Sequence, residues 1–426
     1  SRFATLLTMV GVAVGLGNVW RFPYMMGRYG GSAFLFVYLL FTLLFAVPAL
    51  SAEWALGRAT RRGPVGAFTL AFGRAPGLVI GWILLITVLV ADSYYLVVIA
   101  NITYTAFISF TRGFGLEGRP AFEAGLANGP LQYAIAIGLL ILSLLVIHRG
   151  LRKGIETASK AFVPLFGVIV IVLVAYALSL PGALARLAEF LRPDFSLMGA
   201  EQIFAALGQV FFSAGLGGTL MLIYGSYLRE DEAIPGGALV TVLGDAGAAV
   251  LASLFIVPTI LVFGLDMTAG PHLIFATLPE LFEAMPGGRW VGGLFLTALL
   301  LVAFLSNIAA LEVLVSGLGD IARFRLERKR IILIVLLIEA VVMLPSAIHP
   351  PLIAHLDLIF GSVMQVFGSC MAAMAITWGL GRKVTHQQLF GGEQRGWRAA
   401  YFEWLRFVIP GALIVILAGY VYSKMM

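Results

Sequence analysis

Of the 426 residues, 60% are hydrophobic and 12% charged, with a net charge of +6 and a mean hydropathy of +0.99. Soluble domains carry about a quarter charged residues, so this composition excludes a soluble multidomain enzyme; the single cysteine, Cys370, excludes a disulfide scaffold. The Lys and Arg residues stand in short loops between apolar stretches, which is the pattern of a membrane protein and not of a nucleic-acid-binding stripe.

A bilayer crossing takes about 20 apolar residues. In chain order the sequence predicts eleven such spans, near 3–24, 32–57, 77–110, 130–148, 159–179, 200–228, 236–265, 291–319, 330–347, 352–380 and 401–423. Several exceed the minimum, so tilts, kinks or breaks are expected. Alternate loops separate the basic residues. One set holds Arg58, Arg61, Arg62, Arg74, Arg149, Arg152, Lys153, Lys160, Arg229, Arg323, Arg325, Arg328, Lys329, Arg330, Arg382, Lys383, Arg395 and Arg398; the other holds only Arg28, Arg112, Arg119, Arg186, Arg192 and Arg289. The richer set marks the cytoplasm, with the N-terminus inside and the C-terminus outside. Without an initiator Met or a cleavable signal, Ser1 leads directly into an apolar run, so some native N-terminus is expected to precede it. No polar linker interrupts the array, which reads as one integral membrane domain over 1–426 in the inner membrane of a cell.

Helix 1 carries Ala13-Val14-Gly15-Leu16-Gly17-Asn18 and helix 6 carries Ser213-Ala214-Gly215-Leu216-Gly217-Gly218. The two Gly-Leu-Gly triplets lie five helices apart, an odd number, so two five-helix units insert in opposite directions. Repeat one covers about 3–179, repeat two about 200–380, and an extra helix about 401–423. Glycine-rich breaks at mid-membrane expose carbonyls and amides, tolerable only where they line a cavity that binds something polar. Free carbonyls suit Na⁺, and amides at a half-helix N-terminus suit a carboxylate. Small-residue helix packing is the competing explanation for one triplet; two in matching positions favour a site.

From Gly11 to Phe34 the chain reads GVAVGLGNVWRFPYMMGRYGGSAF. This closely resembles the first helix of the neurotransmitter:sodium symporter family. The resemblance continues at Glu53–Arg58, Ser93-Tyr94-Tyr95, Arg149–Glu156, Gly208–Ser213, and Thr277-Leu278-Pro279 with Gly287-Gly288, and so covers essentially the whole chain. It implies an all-α integral membrane protein with a five-plus-five inverted repeat and broken helices 1 and 6, performing Na⁺-coupled uptake by alternating access.

The same resemblance implies the site residues. A first sodium site draws on the Ala13 carbonyl, the Asn18 amide oxygen, Ser213 and Asp245; hard oxygen ligands suit a hard cation. A second uses the Gly11, Val14 and Val302 carbonyls with the Ser306 hydroxyl. Here the pattern departs: Leu305 stands where many members carry a second side-chain oxygen, and a one-residue shift would offer Ser306 with Asn307 instead. A substrate carboxylate would meet the Leu16 and Gly17 amides and the Tyr95 hydroxyl, and an ammonium the Ala13, Phe212 and Ser213 carbonyls. Gly15 leaves room for the substrate's own carboxylate where monoamine carriers have Asp, so an amino acid is expected.

The side-chain pocket would draw on Ala91, Asp92, Gly215, Gly218, Ser306, Asn307, Ala309 and Ala310. Gly218 replaces a residue that is often bulky, which implies an enlarged pocket and a large amino acid. Asp92 at mid-membrane is costly unless protonated or paired. It reads either as hydrogen-bonded to Asn307 or backbone, or as a receptor, with Asn307, for a polar group on the substrate. By the same resemblance Arg21 and Asp357 would pair, through water or directly, to gate the outside, with Tyr95 and Phe212 as a thin lid; Tyr227 and Asp320 would close the cytoplasmic side, the usual Arg partner of Asp320 lying upstream of Ser1. The resemblance implies that Tyr38, Gln209, Ser213 and Ala249 surround Asp245, where chloride-dependent relatives hold an anion; Ala249 lacks a hydroxyl for Cl⁻ and Asp245 already supplies a negative charge, so transport is expected to be chloride-independent.

Tyr94 reads as a packing aromatic, Cys370 as a core residue, and Glu53 and Glu312 as structural acids that cap backbone or pair helices. The five histidines (His148, His272, His349, His355 and His386) form no metal spacing, so sodium is the one ion expected. No Ser-His-Asp set, P-loop or redox pair points to an enzyme. Two other functions stay open. One is a symporter of the same fold for a monoamine or another solute; the other is a channel or substrate-gated receptor, which would want rings of like groups about a symmetric pore.

Overall fold

In lipid, a long apolar run satisfies its backbone polar groups internally by forming a helix. The computed structural model describes residues 2–116, 118–266, 274–320 and 326–425, and every regular element among them is helical. Arg323, Arg325 and His272 lie outside the described residues.

Nine helices among the described residues are long and apolar enough to cross a bilayer: Gly31–Thr60, Arg74–Thr111, Gly129–His148, Lys153–Ser179, Ile234–Phe263, Gly288–Gly319, Arg328–Ile348, Leu352–Gly379 and Trp397–Gly419. They coincide with nine of the eleven expected spans. The other two, near 3–24 and 200–228, are divided. Arg2–Ala13 is followed, after residues 14–16, by a π-type turn over Gly17–Arg21 and the helix Phe22–Arg28. Likewise Ala200–Ser213 is followed, after residues 214–219, by Leu220–Tyr227. A piece such as Arg2–Ala13, with 12 residues, spans only about 18 Å at 1.5 Å per residue.

Burial sorts the spans into an inner and an outer set. The most apolar windows of Arg74–Thr111, Ile234–Phe263 and Gly288–Gly319 are each 61% buried, against 28–33% for Gly129–His148, Lys153–Ser179, Arg328–Ile348 and Trp397–Gly419. Inner helices are therefore apolar on all faces, while the outer ones turn residues such as Leu142, Leu145, Val168 and Val341 outward. Helix 74–111 runs against 288–319, and Arg2–Ala13 is held between 153–179, 234–263 and 288–319. Small residues set the closest approaches. A Cβ at Gly57 would lie 2.0 Å from the Leu222 carbonyl oxygen, and one at Gly225 would lie 2.5 Å from Trp54 Cα. Helix 31–60 thus holds Leu220–Tyr227 in place.

The basic end of the bundle is tied by buried Arg58. It donates to the Arg229 carbonyl (3.0 Å) and the Glu232 carbonyl (2.6 Å), and to the backbone and side chain of Gln388. Cys370 lies in the core.

Candidate functional site

The two interruptions face each other at the centre of the bundle. Asn18 links them: its Nδ2 donates to Ser213 Oγ (2.9 Å), to the Asp245 carbonyl (2.9 Å) and to Asp245 Oδ1 (2.6 Å). Ser213 in turn donates to Asp245 Oδ2 at 2.8 Å, and the Asn18 Oδ1 accepts the Gly15 amide at 2.9 Å. All three side chains are buried, Asn18 fully. Three residues expected at the first sodium site are thereby brought together. The Asn18 amide nitrogen sits among three oxygens, one of them on a carboxylate. That donor set suits a hard cation, and turning the amide by 180° adds a fourth oxygen. The Tyr38 hydroxyl stands 3.4 Å from Ser213 Oγ, and Gln209 donates to the Gly17 carbonyl at 3.3 Å.

Of the second ion's expected residues, Ser306 Oγ lies 3.2 Å from the Val302 carbonyl and 3.4 Å from that of Val14. The alternative pairing of Ser306 with Asn307 is not what the helix presents. Asn307 is fully buried and turned away, donating to Asp92 Oδ1 (2.9 Å) and accepting from Ser143 (2.6 Å). Successive residues on a helix point about 100° apart, so one neighbour faces the interruption and the next cannot. The Leu305 side chain reaches within 3.3 Å of where a Cβ on Gly11 would be, so an apolar group borders this position.

Tyr95 approaches the Ser306 side chain and the Leu16 amide with its hydroxyl. A Cβ on Gly15 would lie 3.1 Å from Ser306 Oγ and 3.9 Å from the Tyr95 hydroxyl. Gly15, Ala91, Tyr95, Phe212, Gly215, Ser306 and Ala310 all keep partial exposure, whereas Ala13, Leu16, Gly17 and Ala309 are buried. Of the two readings of Asp92, the one bonded to Asn307 matches the structure, and the expectation for Gly218 is corrected. Asp92 and Asn307 are buried and bonded to each other, so neither surface is open to a substrate. Gly218 does not enlarge a pocket: its φ is +68°, and a Cβ there would meet the Gly368 carbonyl oxygen at 2.4 Å. Glycine is needed at that position for close approach to helix 352–379.

At the expected gates the side chains make direct contacts with neighbours other than each other. Arg21 lies over the Phe212 ring, 4.2 Å from its centroid, and Asp357 accepts from the Tyr94 hydroxyl at 3.0 Å. No ion pair within 4 Å joins Arg21 to Asp357 among the described residues. Tyr94 is therefore more than a packing aromatic, and its partner on a distant helix left no local signal in the sequence. On the basic side, Tyr227 and Asp320 are not joined. Tyr227 donates to Glu312 Oε1 at 2.8 Å, while Glu312 Oε2 pairs with Arg328 at 2.7 Å. Asp320 instead accepts the Gly63 amide, and burial raises its carboxyl above the ordinary range. Glu53 accepts the Gly217 amide at 3.0 Å, capping the exposed backbone of the second interruption.

Among the described residues no group of His, Cys, Asp and Glu could hold a metal by clustering. The model of the sodium:neurotransmitter symporter family matches residues 1–117 and 123–425. The uncharacterized sodium-dependent transporter YhdH of Bacillus subtilis (strain 168) is 30% identical, covering 98% of this chain and 96% of its own. The sodium- and chloride-dependent creatine transporter 1 of Homo sapiens is 28% identical, over 76% of this chain and 60% of its own. The crystal structure of MhsT in complex with L-phenylalanine superposes with a TM-score of 0.87 at 30% identity, covering 99% of this chain and 98% of that one. The chain belongs to the sodium:neurotransmitter symporter family, and it is a sodium-coupled multi-pass membrane transporter, not an enzyme.

Proposed function

We propose that the protein takes up an amino acid with a large side chain together with Na⁺, by alternating access and without chloride. In this reading eleven helices cross the inner membrane. The two divided elements count as crossings, and 3–179 and 200–380 form the inverted repeats of one domain. The observation that carries the reading is the Asn18–Ser213–Asp245 cluster, which bonds the two interruptions to one carboxylate. A Na⁺ ion there, held by these side chains and the Ala13 carbonyl, would tie the halves together and offer its remaining charge to a substrate carboxylate. Val14, Val302, Gly11 and Ser306 would hold a second ion.

Gly15 supports the amino-acid class. A side-chain carboxylate at this point would crowd Ser306 and Tyr95; glycine leaves that space to the substrate's own carboxylate, with the Leu16 and Gly17 amides at the start of a helical turn. L-Phenylalanine bound to MhsT supports a large side chain. Ala91, Phe212, Gly215 and Ala310 would face it, and the small ones leave the room. Chloride independence follows from Asp245: both carboxylate oxygens already accept hydrogen bonds beside Tyr38 and Ser213. A second anion within a few ångströms would be repelled by several kcal/mol at an effective dielectric constant of about 20.

The test is uptake into proteoliposomes across an imposed Na⁺ gradient, with each amino acid in turn and chloride replaced by gluconate. Accumulation of a large amino acid that collapses without Na⁺ and survives gluconate is expected. Asn18→Ala and Ser213→Ala should each raise the Na⁺ requirement and weaken substrate binding together. Flux that runs only downhill would indicate a channel, and selection of amines without a carboxylate would indicate a monoamine carrier.

A further inference from the structure

Behind the interruptions, helices 74–111, 129–148, 288–319 and 328–348 pack into a four-helix cluster. Its interior holds two carboxyls at membrane depth, Asp92 on the first helix and Glu339 on the last, 2% and 0% exposed. Glu339 feels the charge of Asp92 directly. Asp92 Oδ2 and both carboxyl oxygens of Glu339 have no hydrogen-bond partner. Among the described residues no ion pair joins a cation to either of them. Arg328, on the Glu339 helix, is eleven residues away, about 16 Å along the axis, and is committed to Glu312.

The other titratable groups on the packed elements lie elsewhere or are engaged. Tyr133 donates to the Ala340 carbonyl at 2.9 Å, and Asp357 accepts from Tyr94. His148, Lys329, Arg330 and His355 sit at helix ends, and Arg119 with Glu123 pair in the helix Gly118–Leu126. Only Tyr94 and Tyr95 feel the Asp92 charge from its own helix. Without added positive charge nearby, two neighbouring carboxyls in such surroundings retain a proton between them, because desolvation and like-charge repulsion act together.

We infer that Asp92 and Glu339 form a buried proton-binding site, distinct from Asp245, whose proton is released when Na⁺ binds at the helix interruption. The link is Asn307 with Ser143. The Ser143 hydroxyl has one hydrogen and two acceptors in reach, the Leu139 carbonyl at 2.9 Å and Asn307 Oδ1 at 2.6 Å. With Asp92 ionised, Ser143 donates to Asn307 Oδ1 and the Asn307 amide donates to Asp92. With Asp92 protonated, the amide turns over: the Asp92 hydroxyl donates to Oδ1, the Nδ2 donates to Ser143 Oγ, and Ser143 donates to Leu139. In both states the Ser143 hydroxyl and one Asn307 amide hydrogen keep an acceptor, and the Asp92 proton has one when it is present, so the chain accommodates the proton's arrival and departure. Glu339 sets the balance, since its proximity favours keeping a proton on the pair. Asn307 follows Ser306 in sequence, and Ser306 faces Val14 and Val302 at the interruption. Positive charge arriving there favours the ionised pair, so Na⁺ and H⁺ oppose each other.

The test measures Na⁺ affinity of the full-length protein in detergent by thermal shift across pH, with Na⁺ alone as ligand. In the wild type the affinity should rise with pH, by at most about tenfold per unit for one proton released per ion. Glu339→Gln should flatten that rise and Glu339→Asp should keep it. Infrared difference spectra on adding Na⁺ should show loss of a protonated-carboxyl carbonyl band in the wild type and not in E339Q. A pH-independent wild-type affinity overturns the inference. So does a rise that E339Q leaves intact, which would place the proton on Asp245. If E339Q does not fold, the infrared band of the wild type and its retention in E339D decide: no Na⁺-sensitive band overturns the inference.

Discussion

The chain is interrupted twice by the same triplet, Gly15-Leu16-Gly17 and Gly215-Leu216-Gly217, yet the two copies use glycine differently. In the first, three residues separate the helical pieces, and neither glycine needs a left-handed backbone. What matters is space: a Cβ on Gly17 would lie 2.7 Å from the Phe212 ring, and one on Gly15 would meet Ser306. In the second, six residues separate the pieces, Gly215 and Gly218 have φ of +63° and +68°, and Glu53 accepts the Gly217 amide. Conformation is what matters there. Added side chains at the second interruption should therefore damage the fold, and at the first they should damage binding.

The largest effect is expected for Gly218→Ala. A left-handed alanine costs about 1–2 kcal/mol, and its Cβ would also sit 2.4 Å from a backbone carbonyl that cannot move alone. Thermal unfolding followed by tryptophan fluorescence should show a clearly lowered apparent Tm, and transport should be lost. Gly368→Ala presses on the same contact from the other side, its Cβ 2.0 Å from the Gly217 carbonyl oxygen, and should behave alike. A wild-type Tm in both would break the comparison.

Next comes Glu53→Ala. It leaves the buried Gly217 amide without its acceptor, a loss of about 1–3 kcal/mol. The apparent Tm should fall, with Na⁺ saturation shifting less than it does in Asn18→Ala. The opposite ranking would mean that Glu53 serves the ion and not the backbone.

Gly17→Ala presses on a ring that can swing, so stability should hold. Its cost falls on the lid, because Phe212 also carries Arg21 on its face. Substrate affinity, read by thermal shift in saturating Na⁺, should weaken roughly tenfold, which corresponds to about 1.4 kcal/mol. Phe212→Leu in the same chain should recover part of it.

Much of this contrast was legible in advance, and the limit has a physical cause. Glycine spacing and the long apolar runs are local signals, and they located both interruptions; Asp245 was named by the family resemblance. Side-chain partnerships across the bundle are not local. Tyr94 and Asp357 are 263 residues apart, and Asn307 and Asp92 are 215 apart, so only the packed helices reveal that they bond. Gly218 misled for the same reason: its meaning depends on Gly368 in another helix. Glu339 was passed over in the sequence, because an acid in an apolar run does not name its neighbour, and Asp92 lies on another helix.

The smallest effect is expected for Gly15→Ala, and it is the sharpest probe of the first interruption. The new methyl group would stand 3.1 Å from Ser306 Oγ, a contact tight enough to make the hydroxyl yield by a few tenths of an ångström. A hydroxyl can rotate without disturbing the helix, so the apparent Tm should stay unchanged. The displaced Ser306 would still reach the Val302 carbonyl of its own helix more easily than the Val14 carbonyl across the gap. Na⁺ affinity should fall a few-fold, about 0.6–1 kcal/mol by the usual conversion, with substrate affinity following through the shared site. Adding Ser306→Ala removes the clash and the ligand together; the double variant should then bind Na⁺ no worse than Ser306→Ala alone. A further loss in the double variant would show that the methyl group blocks the substrate carboxylate itself, and that space at Gly15 serves the substrate before it serves the ion.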